Sequence, residues 1–117
     1  MNMAVGSQSE DGQIELELQR KGKTAPRVTP QEIEVLAESL SFDTYHFPGT
    51  AATVAIAKFP SGYVVATGFS SAISLANFDA EIGAKIAIKD AKHKAIDKLW
   101  ELEGYALRKR LDDIASR

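Results

Sequence analysis

The last third of the sequence carries a long helical pattern with two apolar seams, and this pattern constrains the fold more than any other feature. The first seam is rich in alanine and comprises Ala84, Ile88, Ala91, Ala95, Leu99, Leu102 and Ala106. The second is bulkier and comprises Ile82, Ile86, His93, Ile96, Trp100, Leu107 and Leu111. A helix with one apolar stripe packs against one surface, so two seams predict two neighbours for this helix.

The length of this helix sharpens that prediction. Asn77 is its expected N-cap, and Phe78–Leu111 would span roughly 50 Å at about 1.5 Å per residue. A compact domain of this size is only about 35 Å across. The helix therefore either breaks at Gly104 and folds back, or continues and meets a second subunit. We favour a homodimer, since two-fold dimers are the commonest oligomers. The expected partner or self-association residues are Ile86, His93, Ile96, Trp100, Tyr105, Leu107 and Leu111.

A short helix and a β-hairpin are predicted before the long helix. Thr29-Pro30-Gln31-Glu32 has the form of a capping box with proline at the first helical position, and the helix should end near Ser41. Two runs rich in small, β-branched and aromatic residues follow, Ala51–Phe59 and Tyr63–Phe69. The turn residues between them predict a hairpin, which Ser71–Ser74 would extend to a three-stranded meander.

These elements predict an α+β fold with a short helix, an antiparallel hairpin or three-stranded meander, and a long C-terminal helix. Residues 1–27 are polar and are expected to form a largely disordered tail, with a short strand at Ile14–Leu18. Residues 28–117 then form a single domain. No secretory signal and no apolar run of about 18 residues is found, so we expect a cytoplasmic protein.

The sequence offers no convergent set of catalytic groups. The chain has no cysteine and only two histidines, His46 and His93, whereas zinc sites use three or four protein ligands. Gly68–Ala72 superficially resembles a nucleophile elbow but has Ala72 where the second glycine belongs. We therefore predict a non-enzymatic protein with no catalytic residue, no metal and no cofactor.

Two surfaces are candidates for binding. The segment Phe42–Thr50 is predicted to be an aromatic loop that presents Tyr45, His46 and Phe47 for recognition. A basic ridge on the long helix, Lys85, Lys89 and Lys92 within Lys85–Lys98, is a possible contact for nucleic acid. Asp79 and Glu81 at the start of that helix would repel phosphate, and the net charge is −2, so nucleic-acid binding is the less favoured alternative.

Three sequence blocks carry a family resemblance: APRVTP at residues 25–30, NFDAEIG at 77–83 and LWELEGY at 99–105. They resemble the small phage and prophage protein family named for its gene-49 and gene-66 members, over roughly Ala25–Leu111. The hairpin lacks the cysteine that members often carry, and the spacing between the last two blocks is longer by about one helical turn. The resemblance implies a small accessory protein of phage or prophage origin with no assigned chemistry. We therefore expect it to bind and modulate an unidentified host protein in the host cytoplasm, in host takeover or anti-defence.

Overall fold

The computed structural model describes residues 10–116 and confirms the α+β fold. Its elements, in chain order, are α1 Glu10–Arg20, α2 Pro30–Glu38, β1 Ser41–His46, β2 Ala52–Lys58, β3 Val64–Ser71, a short 3₁₀ turn Leu75–Asn77 and α3 Ala80–Ala115. The described residues divide into two compact units. The first comprises residues 10–36 and 100–116, and the second comprises Ala37–Leu99.

The second unit contains an antiparallel three-stranded sheet in the order β1-β2-β3. It is a meander, one of the two predicted forms, but its third strand is β1 and not an extension at Ser71–Ser74. The prediction of an aromatic loop at Phe42–Thr50 is therefore wrong for Phe42–His46, which pair with residues 53–57 of β2. Pairing along β2 satisfies backbone groups that a loop would leave to water.

The alternation within Ala51–Phe59 predicts that Val54 and Ile56 share one face of β2 and that Thr53, Ala55 and Ala57 share the other, and the structure confirms this. Thr53, Ala55 and Ala57 are buried on the inner face, whereas Val54 and Ile56 are half-buried on the outer face. The alternation of Tyr63, Val65, Thr67 and Phe69 in the sequence predicts that they share one face. This prediction is wrong, because the register shifts between Ala57 and Lys58. This irregularity leaves Val65 buried while Thr67 and Phe69, further along β3, are exposed.

The inner face of the sheet packs against α3 at unusually close range. A Cβ atom at Gly68 would lie 2.2 Å from the Ala87 carbonyl oxygen and 2.3 Å from the Ala91 nitrogen. The buried residues of α3 step by four along one stripe, which comprises Gly83, Ala87, Ala91, Ala95 and Leu99. The predicted alanine seam is confirmed for Ala91, Ala95 and Leu99, whereas its last two members, Leu102 and Ala106, are exposed. The earlier seam members Ala84 and Ile88 are only half-buried, because Gly83 and Ala87, one position before each of them, face the sheet.

The start of α3 differs from the prediction, and its continuity decides between the two alternatives for Gly104. Asp79, not Asn77, caps the helix: its Oδ1 accepts the Ile82 amide at 2.9 Å, while Asn77 belongs to the 3₁₀ turn. The helix runs through Gly104 as one element, so the alternative in which it breaks there is wrong.

The first unit departs further from the sequence interpretation. Residues 10–20 form α1, so the strand predicted at Ile14–Leu18 is wrong and the structure differs from a disordered tail over this stretch. Residues 1–9 of the predicted tail lie outside the described residues. The N-cap of α2 is confirmed, since the Glu32 amide donates to Thr29 Oγ1 at 3.3 Å. The Glu32 carboxylate accepts from the Thr29 hydroxyl at 3.3 Å, where a full capping box would use the Thr29 backbone N–H.

Candidate protein-binding face

The outer face of the sheet carries a row of apolar side chains that crosses all three strands. Tyr45 of β1 is in register with Val54 of β2, which is in register with Phe69 of β3. Tyr45 is 57% exposed and Phe69 is 54% exposed, and Val54 between them is half-buried. We call Tyr45, Val54 and Phe69 the aromatic row. Its members point the same way because cross-strand partners share a face.

The aromatic row has a further aromatic side chain on one side and an ion pair on the other. Phe47, 46% exposed, meets Tyr45 edge to face with ring centroids 4.9 Å apart. On the other side, Lys58 Nζ lies 2.6 Å from Asp43 Oδ2. The face therefore combines aromatic surface with a compensated pair of charges.

His46 does not belong to this face, although the sequence analysis groups it with Tyr45 and Phe47. Its ring stacks on Phe78 with centroids 4.3 Å apart, and its Nε2 lies 2.7 Å from the Thr50 carbonyl oxygen. In a strand, successive side chains point to opposite faces, so β1 directs Tyr45 outward and His46 inward. The predicted recognition surface is thus reduced to Tyr45 and Phe47.

On the β3 edge of the sheet, α3 caps one outward backbone N–H. The Phe69 backbone N–H donates to Asp90 Oδ2 at 2.9 Å, and Lys94 Nζ donates to the same oxygen at 2.9 Å. The bond from Lys94, and then the bond from the Phe69 amide, lower the pKa of the Asp90 carboxyl. Asp90 therefore stays ionised and occupies a backbone donor that an added strand would use.

The residues predicted for self-association fall into both units. In the second unit, Ile86 is 51% exposed, Ile96 is half-buried, and His93 is exposed with Nε2 3.9 Å from Asp97 Oδ2. In the first unit, Tyr105 is 68% exposed, and the other three predicted residues are half-buried, namely Trp100, Leu107 and Leu111. Their contact with a second subunit stays a prediction.

The predicted basic ridge is exposed but partly compensated by acids. Lys85 Nζ lies 3.8 Å from Glu81 Oε2, while Lys89 and Lys92 are exposed. Surface pairs of this kind are weak, yet the neighbouring acid dilutes the positive field that phosphate would meet.

Sequence reasoning missed a cluster of polar side chains in the first unit. Glu15, only 4% exposed, accepts hydrogen bonds from Arg27 Nε at 3.1 Å, from Arg27 Nη2, and from Gln19 Nε2 at 2.8 Å. The bonds from Arg27 are the main reason that the pKa of Glu15 is lowered. Gln19 lies one helical turn from Glu15, but Arg27 follows a linker whose path no local pattern predicts. Only a predicted helix over residues 10–20 would have pointed to the cluster.

Within residues 10–116, no group of three or more histidines and acids is arranged to hold a metal ion. The helices described there include none with the length and apolarity needed to cross a bilayer.

Comparison with known families decides the affiliation of the chain. The model of the phage protein (N4 Gp49/phage Sf6 gene 66) family matches residues 28–111. The chain belongs to this phage protein family. No curated protein matches the chain, and no solved structure does.

The N4 Gp49/Sf6 gene 66 match confirms the predicted resemblance and places it on the structure. It includes the aromatic row, Asp90 and most of α3. Helix α1 with Glu15 precedes the matched region, and Arg27 lies one residue before it. The sheet face therefore lies within the region that matches the family, whereas Glu15 and Arg27 lie outside it.

Proposed function

We propose that the chain is a non-enzymatic phage accessory protein that binds and modulates a host protein through the outer face of its sheet. The observation that carries the proposal is the exposure of the aromatic row. An antiparallel sheet with one covered face usually presents polar residues on the other. Here Tyr45 and Phe69 are more than half exposed at such positions.

The chemistry of this face suits a protein partner. Aromatic side chains are enriched at protein interfaces and among the residues that dominate binding energy. The backbone pairing of three strands holds Tyr45 and Phe69 in place, so little conformational freedom is lost on binding. The Asp43–Lys58 pair beside the row supplies polar groups that favour one orientation of the partner.

Affinity capture from a lysate of the phage host tests this proposal. The wild-type chain should retain a defined host protein after nuclease treatment, and Phe69→Ser should lose it. Tyr63→Ser is the matched control, because Tyr63 is 58% exposed but lies outside β3 and the aromatic row. Retention of the same host protein by Phe69→Ser would contradict the assignment of the surface.

The alternative is a nucleic-acid-binding accessory protein that uses Lys85, Lys89 and Lys92. It has less support, because Glu81 lies beside Lys85 and Asp90 accepts from Lys94. Binding through this ridge would show a steep fall of affinity with salt and would be lost in a Lys89→Glu, Lys92→Glu variant. Under our proposal that double variant captures the host protein normally.

Two further parts of the proposal concern the setting of the protein. We place its action in the host cytoplasm, where a host target would be met. We also propose that it acts as a homodimer.

A further inference from the structure

The two edge strands of the sheet differ in whether their outward backbone groups are hydrogen-bonded within the second unit. On β3, Asp90 accepts the outward N–H of Phe69 at 2.9 Å. Directly after β1, the Phe47 N–H donates to the Ala52 carbonyl oxygen at 3.1 Å. The backbone groups of every second residue before Phe47, which are Tyr45, Asp43 and Ser41, therefore point toward β2. Antiparallel ladders alternate, and the N–H and C=O groups of the intervening residues therefore point outward. Those residues are Phe42, Thr44 and His46.

Within the second unit as the structure describes it, the β1 edge also lacks the usual protection against strand addition. Natural edges are blunted by lysine, proline, bulges or a covering element. Strand β1 has the sequence SFDTYH and pairs with β2 in an unbroken register. Its single acid, Asp43, is neutralised by Lys58 at 2.6 Å. No hydrogen bond joins the outward backbone groups of β1 to another residue among those that the structure describes.

We propose that two copies of the chain pair antiparallel through their β1 edges, about a two-fold axis at Thr44, to form one six-stranded sheet. This inference rests on the homodimer of the proposed function and places its interface on β1, not on the residues of α3 that the sequence pattern predicts for self-association. In this arrangement Thr44 faces Thr44 of the second copy, and Phe42 faces His46. All outward N–H and C=O groups of these residues then find partners.

The side chains fit this register on both faces of the sheet. On the inner face, a central threonine pair is flanked by two pairs of Phe42 with His46, and threonine pairs and aromatic pairs are favourable across strands. On the outer face, Asp43 faces Tyr45 of the second copy, whose phenol can donate to the carboxylate. Each strand thus complements itself, which favours a second copy over an unrelated peptide as the occupant.

The neighbouring registers are worse for identifiable reasons. The outward backbone groups of β1 occur only at every second residue. The nearest alternative registers therefore shift one copy of β1 by two residues relative to the other. One such neighbour places Asp43 directly opposite Asp43, and like charges in that position destabilise a strand pair. The other places Phe42 opposite Pro48, which has no N–H to donate.

Proline substitution at the two edges tests the proposal. Thr44→Pro removes an outward N–H that the second copy would use, but it removes no hydrogen-bond donor between β1 and β2. This substitution should therefore convert a dimer to a monomer. Thr67→Pro is the matched control, because Thr67 also directs its backbone away from β2, on the Asp90-protected edge. Light scattering should give the mass of two chains for wild type and Thr67→Pro, and that of one 12.7 kDa chain for Thr44→Pro. A monomeric wild type, or a dimeric Thr44→Pro, would overturn the proposal.

Crosslinking provides a second measurement that does not depend on tolerance of proline. The chain has no cysteine, so a single introduced thiol reports one site. Directly opposed residues at a hydrogen-bonded position have Cα atoms about 5.5 Å apart, within disulfide range. Thr44→Cys should therefore form a covalent dimer with oxidised glutathione, whereas Thr67→Cys should not. Equal crosslinking of both variants, or of neither, contradicts the β1 pairing.

These outcomes are separable from those of the proposed function. Loss of host capture by Phe69→Ser depends on the outer face and not on self-association. If wild type proves monomeric but still captures the host protein through Phe69, the edge pairing is wrong and the host-binding proposal stands. If the dimer forms through Thr44 but no host protein is captured, the host-binding proposal is wrong and the edge pairing stands.

Discussion

Gly68 of β3 lies directly against the backbone of Ala87 in α3, so that a Cβ atom at Gly68 would stand 2.2 Å from the Ala87 carbonyl oxygen. The contact is between two backbones and not between flexible side chains. It explains why the buried stripe of α3 consists mainly of glycine and alanine: larger side chains would hold the helix away from the sheet.

Gly68→Ala should therefore be strongly destabilising. Overpacking of a core costs about 1–3 kcal/mol, occasionally more, and here neither backbone can yield without moving α3. We expect a loss of about 3 kcal/mol in the free energy of unfolding, measured by denaturant titration. A Gly68→Ala chain within about 0.5 kcal/mol of wild type, the range of an ordinary surface change, would show that the helix is not this close to the sheet.

Gly104→Ala should have the opposite effect and serves as the comparison. Gly104 lies inside α3 with nothing within 4 Å of the position of an added Cβ. Alanine is favoured over glycine in a helix interior by about 1 kcal/mol, so the same titration should show a gain of that order. A loss of stability would mean that the helix does not run straight through this residue.

Local signals account for what the sequence predicts correctly. The N-cap at Thr29 and the alternation of β2 depend on residues close together in the chain, and both are confirmed. Strand β1 is not predicted, because aromatic residues followed by Pro48-Gly49 are equally typical of a loop. Only the pairing with β2 distinguishes a strand from a loop here. The buried stripe of α3 is displaced by one residue from the predicted seam only at its start, because close approach to the sheet selects Gly83 and Ala87 over the larger Ala84 and Ile88. The Phe69–Asp90 bond joins residues 21 positions apart and has no local signature.

Thr53→Val should stabilise the protein. Thr53 is 2% exposed, and its Oγ1 has no hydrogen-bond partner among residues 10–116. An unsatisfied buried polar group costs about 1–3 kcal/mol, and valine keeps the shape of the side chain. We expect a gain of about 1 kcal/mol in the free energy of unfolding. Thr67→Val, at an exposed position on the neighbouring strand, should change stability by less than about 0.5 kcal/mol.

Asp90 should make a pH-dependent contribution to stability. The pKa of its carboxyl is lowered by the hydrogen bonds from Lys94 and from the Phe69 amide. A depressed folded-state pKa contributes stability that is fully present above the unfolded pKa, about 3.9, and is lost as the pH falls through the folded value. Asp90→Asn should thus be less stable than wild type at neutral pH, and the difference should shrink below about pH 4. A difference that stays constant from neutral pH down to about pH 2 would contradict this role.

Arg27→Lys should destabilise the first unit, although the charge is kept. Arg27 donates to Glu15 through both Nε and Nη2, and lysine cannot reproduce this two-pronged geometry. Because Glu15 is buried, its carboxylate would lose hydrogen bonds that water cannot replace, and hydrogen exchange in α1 should accelerate. Arg20→Lys, at the exposed end of the same helix, is the control and should leave that exchange unchanged. Equal exchange rates in both variants would mean that the Glu15–Arg27 pair does not hold α1 in place.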